Sequence, residues 1–143
     1  VAAKVREAAH PAPKTFAIAK SPRRYASADY ILARSGDEET VVVDVRPEKA
    51  YRAGHIPWAK NIPWKGNLSH DETMLDADTL AARYAAFGVT PDKNVVIHCQ
   101  TGEASAHSYF ALRLLGYARV RTYHRSWAEW GVLDDMPIAV SGG

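Results

Sequence analysis

Two unbroken apolar runs stand out from the chain, residues 41–45 (VVVDV) and 95–98 (VVIH). Short, β-branched and not alternating with polar positions, they read as strands buried on both faces of a parallel sheet. Residues 119–123 read as a further strand, and 60–62 as a short one cut off by Pro63. Segments of helical period lie between them. Ser27 is a plausible N-cap for 28–34, with Gly36 as the stop. Pro47 opens a short helix at its favoured first position, through Glu48, Lys49 and Tyr51 to Gly54. Asp76 or Asp78 caps 79–87, which ends at Gly88. Tyr109, Phe110, Leu112, Leu114 and Leu115 recur at helical spacing and Gly116 closes them. Residues 64–73 read as a loop, and 126–131 as a short helix. Strands alternating with helices predict an α/β fold, a parallel sheet flanked by helices on both faces. Residues 1–24, dominated by Ala, Pro and Lys, read as a linker or tail, and 25–143 as one domain.

Composition narrows this only a little. At 143 residues the chain supports one core without a disulfide or metal. A net charge of +2 is too mild to argue for a nucleic-acid partner, though it is compatible with a small anionic substrate. No apolar stretch reaches the length of a membrane span, so no membrane partner is expected. The first twenty residues mix charge and proline without an apolar h-region, which argues against a retained signal peptide and for a cytoplasmic location. An export signal already removed would instead make the protein periplasmic. Val1 in place of methionine fits either a processed chain or a piece of a longer one. Its six histidines show no His-x3-His spacing, so no metal site is expected.

The candidate chemistry centres on Cys99, the only cysteine, at the seam VVIHC-QTGEAS-AHSYFALRLLG. A residue there sits at the carboxyl end of a strand and faces the free N–H groups opening a helix. That is where α/β sheets place ligands and where backbone geometry attracts anions. An ionised thiol gains stabilisation in the same place. The alternative, a free cysteine acting as a small buried hydrophobe, fits poorly with polar flanks and a tight turn.

Three segments carry a family resemblance. DVRPEKAYRAGHIPWAKNIPW (44–64) resembles the first rhodanese signature, CQTGEASAH (99–107) the sulfurtransferase active-site loop, and TYHRSWAEWG (122–131) the closing motif. They stand in the family's order and at its spacing, and the chain most resembles the cysteine-bearing second domain of tandem-domain thiosulfate sulfurtransferases. The resemblance implies a rhodanese-like α/β fold and a Cys99 nucleophile that carries sulfur as a persulfide. It also implies a cradle from the backbone of Gln100, Thr101, Gly102, Glu103, Ala104 and Ser105, with Gln100 and Thr101 able to add side-chain donors. Both thiolate and persulfide are anionic, so such a loop needs inward N–H groups rather than a proton-transfer partner. Each preorganised donor is worth about 3 kcal/mol in the transition state. No metal or organic cofactor is required. Arg46 resembles an arginine that the family directs at the site, and Arg125 restores positive charge or else faces water. Asp44, His55 and Trp127 are read as support, His55 and His107 as structural, and His98 as pointing away from Cys99.

Departures from the family pattern matter. Ala104 stands where Arg or Thr is common, Gln100 and Thr101 where thiosulfate-type loops carry basic residues, and Glu103 adds a negative charge. A second family arginine is Ala50 here, with Arg52 a possible stand-in. The closing motif usually reads Tyr-Asp-Gly-Ser-Trp, whereas this chain has Tyr123-His124-Arg125-Ser126-Trp127. Cysteine phosphatases use C-x5-R, where the arginine clamps phosphate; that position is Ser105, so this reading falls away. The expected donor is thiosulfate or another sulfane-sulfur compound, and the acceptor cyanide or a thiol. A 3-mercaptopyruvate donor, and a non-catalytic or sulfur-carrier module of a larger protein, are the alternatives. A second rhodanese-like domain in a longer chain is a candidate partner.

Overall fold

A computed structural model of the chain describes residues 12–15, 17 and 21–141. Most of the tail expected over 1–24 lies outside them. Its last part does not hang free, because Pro22–Arg24 form a 3₁₀ turn against the sheet. Arg121 Nη1 donates to the carbonyl oxygens of Pro22 and Tyr25 at 3.2 and 3.3 Å, and Ala26 N–H donates to Thr122 O at 2.9 Å.

Among the described residues, four parallel strands make one sheet in the order β2-β1-β3-β4, with β1 Thr40–Asp44, β2 Lys60–Asn61, β3 Asn94–His98 and β4 Val120–Thr122. Parallel neighbours need crossovers, which the helices supply: α1 Ala28–Leu32, α2 Glu48–Ala53, α3 Ala77–Ala85, α4 Glu103–Leu114 and α5 Ser126–Trp130. The two faces of β1 and β3 divide the core by strand alternation. Val43, Val45, Val95 and Ile97 pack against Leu80 and Tyr84 of α3 and Leu112 of α4. Val42 and Val96 pack on the other side against Ala28 and Ile31 of α1 and Trp130 of α5. The chain therefore has the α/β architecture expected, a parallel sheet with helices on both faces.

Element ends shift by a few residues for local reasons. Pro47 precedes its helix as the cap residue instead of occupying the first helical position. Asp76, not Asp78, caps α3 by accepting Thr79 N–H at 3.0 Å, so the helix starts at Ala77 and stops at Ala85. Part of the expected loop at 64–73 is a 3₁₀ turn, Trp64–Asn67. Most relevant to the site, α4 begins at Glu103, so Glu103, Ala104 and Ser105 belong to its first turn and not to a free loop.

Candidate active site

Register places the site. Asp44 and His98 are partners across β1 and β3, so Arg46 and Cys99 emerge from adjacent strand ends. Cys99 continues the face of Val95 and Ile97, with 3% of its surface exposed. Three residues on, Gly102 is the N-cap of α4 at φ +107°, a left-handed backbone that side chains rarely adopt. That turn aims Gly102 N–H back at Cys99 Sγ, 3.1 Å away. A Cβ at Gly102 would also lie 2.5 Å from the His124 carbonyl oxygen and 2.7 Å from His124 Nδ1, so only glycine fits.

The rest of the loop is held from both ends. Ser105 is buried, and its hydroxyl donates to Gly102 O at 2.6 Å. Ala104 packs on the core, while Gln100, Thr101 and Glu103 face solvent. The N–H groups of Gln100 and Thr101 find no acceptor among the described residues. Free donors are what a loop leading into a helix N-terminus offers an anion. Meanwhile α5 fixes the loop carbonyls: Trp127 N–H donates to Cys99 O at 3.1 Å and Ala128 N–H to Gln100 O at 3.0 Å. Carbonyl oxygens are thereby turned away from the cradle.

Ser126 is a site residue that sequence reasoning missed. Its hydroxyl accepts Cys99 N–H at 3.1 Å, donates to Tyr123 O at 2.9 Å, and lies 3.9 Å from Cys99 Sγ. To do so it sits fully buried at φ +56°, a costly position for a residue with a Cβ. His124 was missed as well, although its backbone and ring take up the space where a Gly102 side chain would lie. The closing motif contained both residues, but only Arg125 and Trp127 were singled out from it.

Beneath the loop lies a buried charged block. Arg46 is 3% exposed, and its Nε lies 3.0 Å from both Asp44 carboxylate oxygens, while Nη2 reaches Asp44 Oδ2 at 2.6 Å and Gly54 O at 2.7 Å. Only Nη1 turns toward the loop, 3.5 Å from Gln100 Oε1. The guanidinium also stacks on the Trp127 ring, 4.4 Å from its centroid. Asp44 further accepts Arg46 N–H at 2.9 Å. Gly54 is needed where it stands, since a Cβ there would sit 2.9 Å from the Trp127 ring. His98 is fully buried on the opposite strand face from Cys99, its Nε2 3.6 Å from Asp44 Oδ2 and without a hydrogen-bond partner. Burial holds the His98 pKa below the usual histidine value, with Arg46 adding to the shift and Asp44 opposing it.

The remaining predicted residues lie farther out. Arg125 is exposed and pairs with Glu129 on its own helix at 3.0 Å. His55 is buried in the connector, its Nδ1 2.9 Å from Tyr51 O and its ring stacked on Tyr51 at 3.8 Å. His107 rests 5.4 Å from the Trp64 ring, and burial lowers its pKa. Arg52 pairs with Glu48 at 2.7 Å. A groove of about 780 Å³ between α2 and the 57–63 connector includes no residue of the loop. No cluster of metal-ligating side chains occurs among the described residues. Nor is any helix among them long and apolar enough to cross a membrane.

The site is thus a cysteine that β3 of a parallel α/β sheet delivers into the loop capping α4, with the Gly102 amide aimed at its sulfur. Comparison with known proteins gives the family. The chain belongs to the rhodanese-like domain family, whose profile matches residues 27–132. It is 48% identical over 103 residues to the sulfur carrier protein TtuD of Thermus thermophilus, covering 71% of this chain and 36% of that protein. It is 36% identical over 141 residues to the thiosulfate sulfurtransferase of Azotobacter vinelandii, covering 93% of this chain and 52% of that protein. The chain thus spans from about a third to about half the length of these relatives. Among solved structures, the anaerobic ergothioneine biosynthesis enzyme of Chlorobium limicola shares the fold, with a TM-score of 0.80 at 23% identity over 85% of this chain and 33% of that one.

Proposed function

We propose that this domain moves sulfane sulfur through a persulfide on Cys99. In the first half-reaction the Cys99 thiolate attacks the outer sulfur of a donor such as thiosulfate. The donor's S–S bond breaks, and its electron pair leaves with sulfite. In the second, a thiophilic acceptor such as cyanide or a thiol attacks the outer sulfur of the persulfide, and Cys99 departs as the thiolate. The observation that carries this reading is the Gly102 N–H pointed at Cys99 Sγ from the start of α4. It supports a site for a charged sulfur rather than for a filler of the core. Gln100 to Ser105 form the anion cradle. Arg46 acts on it through Gln100 and Trp127, with its other donors committed to Asp44 and Gly54.

The likeness to a sulfur carrier protein supports a second reading, in which the persulfide is handed to a protein acceptor or a companion domain and free turnover is slow. Intact mass spectrometry after exposure to thiosulfate tests the first half-reaction. The protein is expected to gain one sulfur atom and Cys99→Ser none. A wild-type protein that gains sulfur neither from thiosulfate nor from a thiosulfonate would refute the proposal. Loading without thiocyanate formation on adding cyanide would select the carrier reading. Thiosulfate against 3-mercaptopyruvate, compared by turnover, ranks the donor classes.

A further inference from the structure

The charges around the Cys99 loop are distributed unevenly. The Arg46 guanidinium is 3% exposed and committed to Asp44 and Gly54. Arg125 points along its own helix to Glu129. The ionised side chain that remains on the loop itself is Glu103, exposed at the first position of α4. Its carboxylate is fixed there by the Thr101 hydroxyl. That hydrogen bond, chiefly, holds the Glu103 pKa below the usual carboxylate value, so the charge is present throughout the neutral range. The His124 ring lies beside Gly102.

We propose that Glu103 makes the rim of this loop a charge filter, turning the site away from dianionic sulfur donors and toward donors that carry one negative charge. The inference rests on the sulfur-transfer reading and narrows its substrate class. The inward amides attract any anion, but a fixed carboxylate beside them repels a second donor charge as strongly as the first. Thiosulfate carries two charges on approach. An organic thiosulfonate carries one, and undergoes the same step: the thiolate takes its outer sulfur, the S–S bond breaks, and the electron pair leaves with a sulfinate.

The test uses the full chain, with thiosulfate and benzenethiosulfonate as donors. Cyanide is the acceptor, and kcat/KM is read from thiocyanate release for the wild type and Glu103→Gln. Glutamine keeps an acceptor for Thr101 and loses only the charge. Removing the charge is expected to raise kcat/KM for thiosulfate about fivefold and for the thiosulfonate only about twofold at low salt. High salt should shrink that gap by screening. Equal responses of the two donors, or a fall with thiosulfate, would overturn the filter while leaving sulfur transfer intact. A wild-type protein that takes sulfur from neither donor would overturn both readings.

Discussion

Two sets of polar groups meet at Cys99, and they use charge in opposite ways. Under the loop, Asp44, Arg46 and His98 are buried, and the first two are locked to each other and to backbone. At the rim, Gln100, Thr101, Glu103 and His124 face water. A charge beneath the loop is costly to unpair and so does structural work, holding strand ends, Gly54 and Trp127 in one arrangement. A charge at the rim costs almost nothing in stability and is free to set which ligand approaches. The difference explains how a loop with few side-chain donors is kept rigid: its order comes from below and from α5, not from the residues that a substrate meets.

Breaking the lower set should give the largest effect. Asp44→Asn leaves Arg46 buried without its counter-charge, and the expected loss is about 3–5 kcal/mol of folding stability. Urea unfolding would read it as a lower midpoint at an unchanged m-value. A loss below about 1 kcal/mol would mean that Arg46 escapes to solvent and that the block is not what orders the loop.

The junction between the two sets is Gly102, and Gly102→Ala should come next in stability. A left-handed φ with a Cβ costs about 1–3 kcal/mol, and here the added atom also meets the His124 carbonyl. Its functional consequence should be larger, because displacing the Gly102 N–H from Cys99 Sγ removes a preorganised donor. Sulfur loading from thiosulfate is expected to slow about a hundredfold, followed by intact mass over time. Loading at the wild-type rate in a folded variant would show that this amide does not assist the chemistry.

These two residues also mark what could be read in advance. The strand 95–98, the cysteine at its end and the glycine in the turn were legible, because an unbroken apolar run, a polar interruption and a helical period have distinct signatures. The α/β architecture followed from the same alternation. The direction of Arg46 was less legible: the family pattern aims it at the site, while an acid two residues earlier on the same strand face claims most of its donors. That spacing was visible, but no local rule ranks Asp44 above a ligand. Ser126 was harder still, since its role depends on a positive φ in a residue that carries no propensity for one. The extent of the loop was also misjudged at 103–105, because Gly102 reads equally well as a residue within a loop and as the cap that ends it.

The smallest of these stability effects concerns His98, and it probes whether the buried block tolerates any further charge. In the unfolded chain His98 takes up its proton near the ordinary value of 6.5, whereas burial holds its folded pKa lower. The sign follows from linkage: above pH 6.5 both states are neutral and stability is full. As pH falls below that value, only the unfolded state binds the proton, and stability is lost until the folded pKa is reached. The slope from this one group is at most about 1.4 kcal/mol per pH unit. His107 shifts in the same direction and adds to the total, more weakly because it is partly exposed. The carboxylates held low by hydrogen bonds, Asp71 at about 2 among them, release their stability only at lower pH, so the histidine window is separable. His98→Phe removes the proton while keeping a flat ring; it gives up the 3.3 Å contact of Nδ1 with Cys99 O, whereas Nε2 has no hydrogen-bond partner to lose. Urea unfolding between pH 7 and 5 should therefore show a flatter stability profile for His98→Phe than for wild type. Parallel profiles would place a proton on the buried imidazole in the native state and give the block under Cys99 a net positive charge that the Asp44–Arg46 pair alone does not supply.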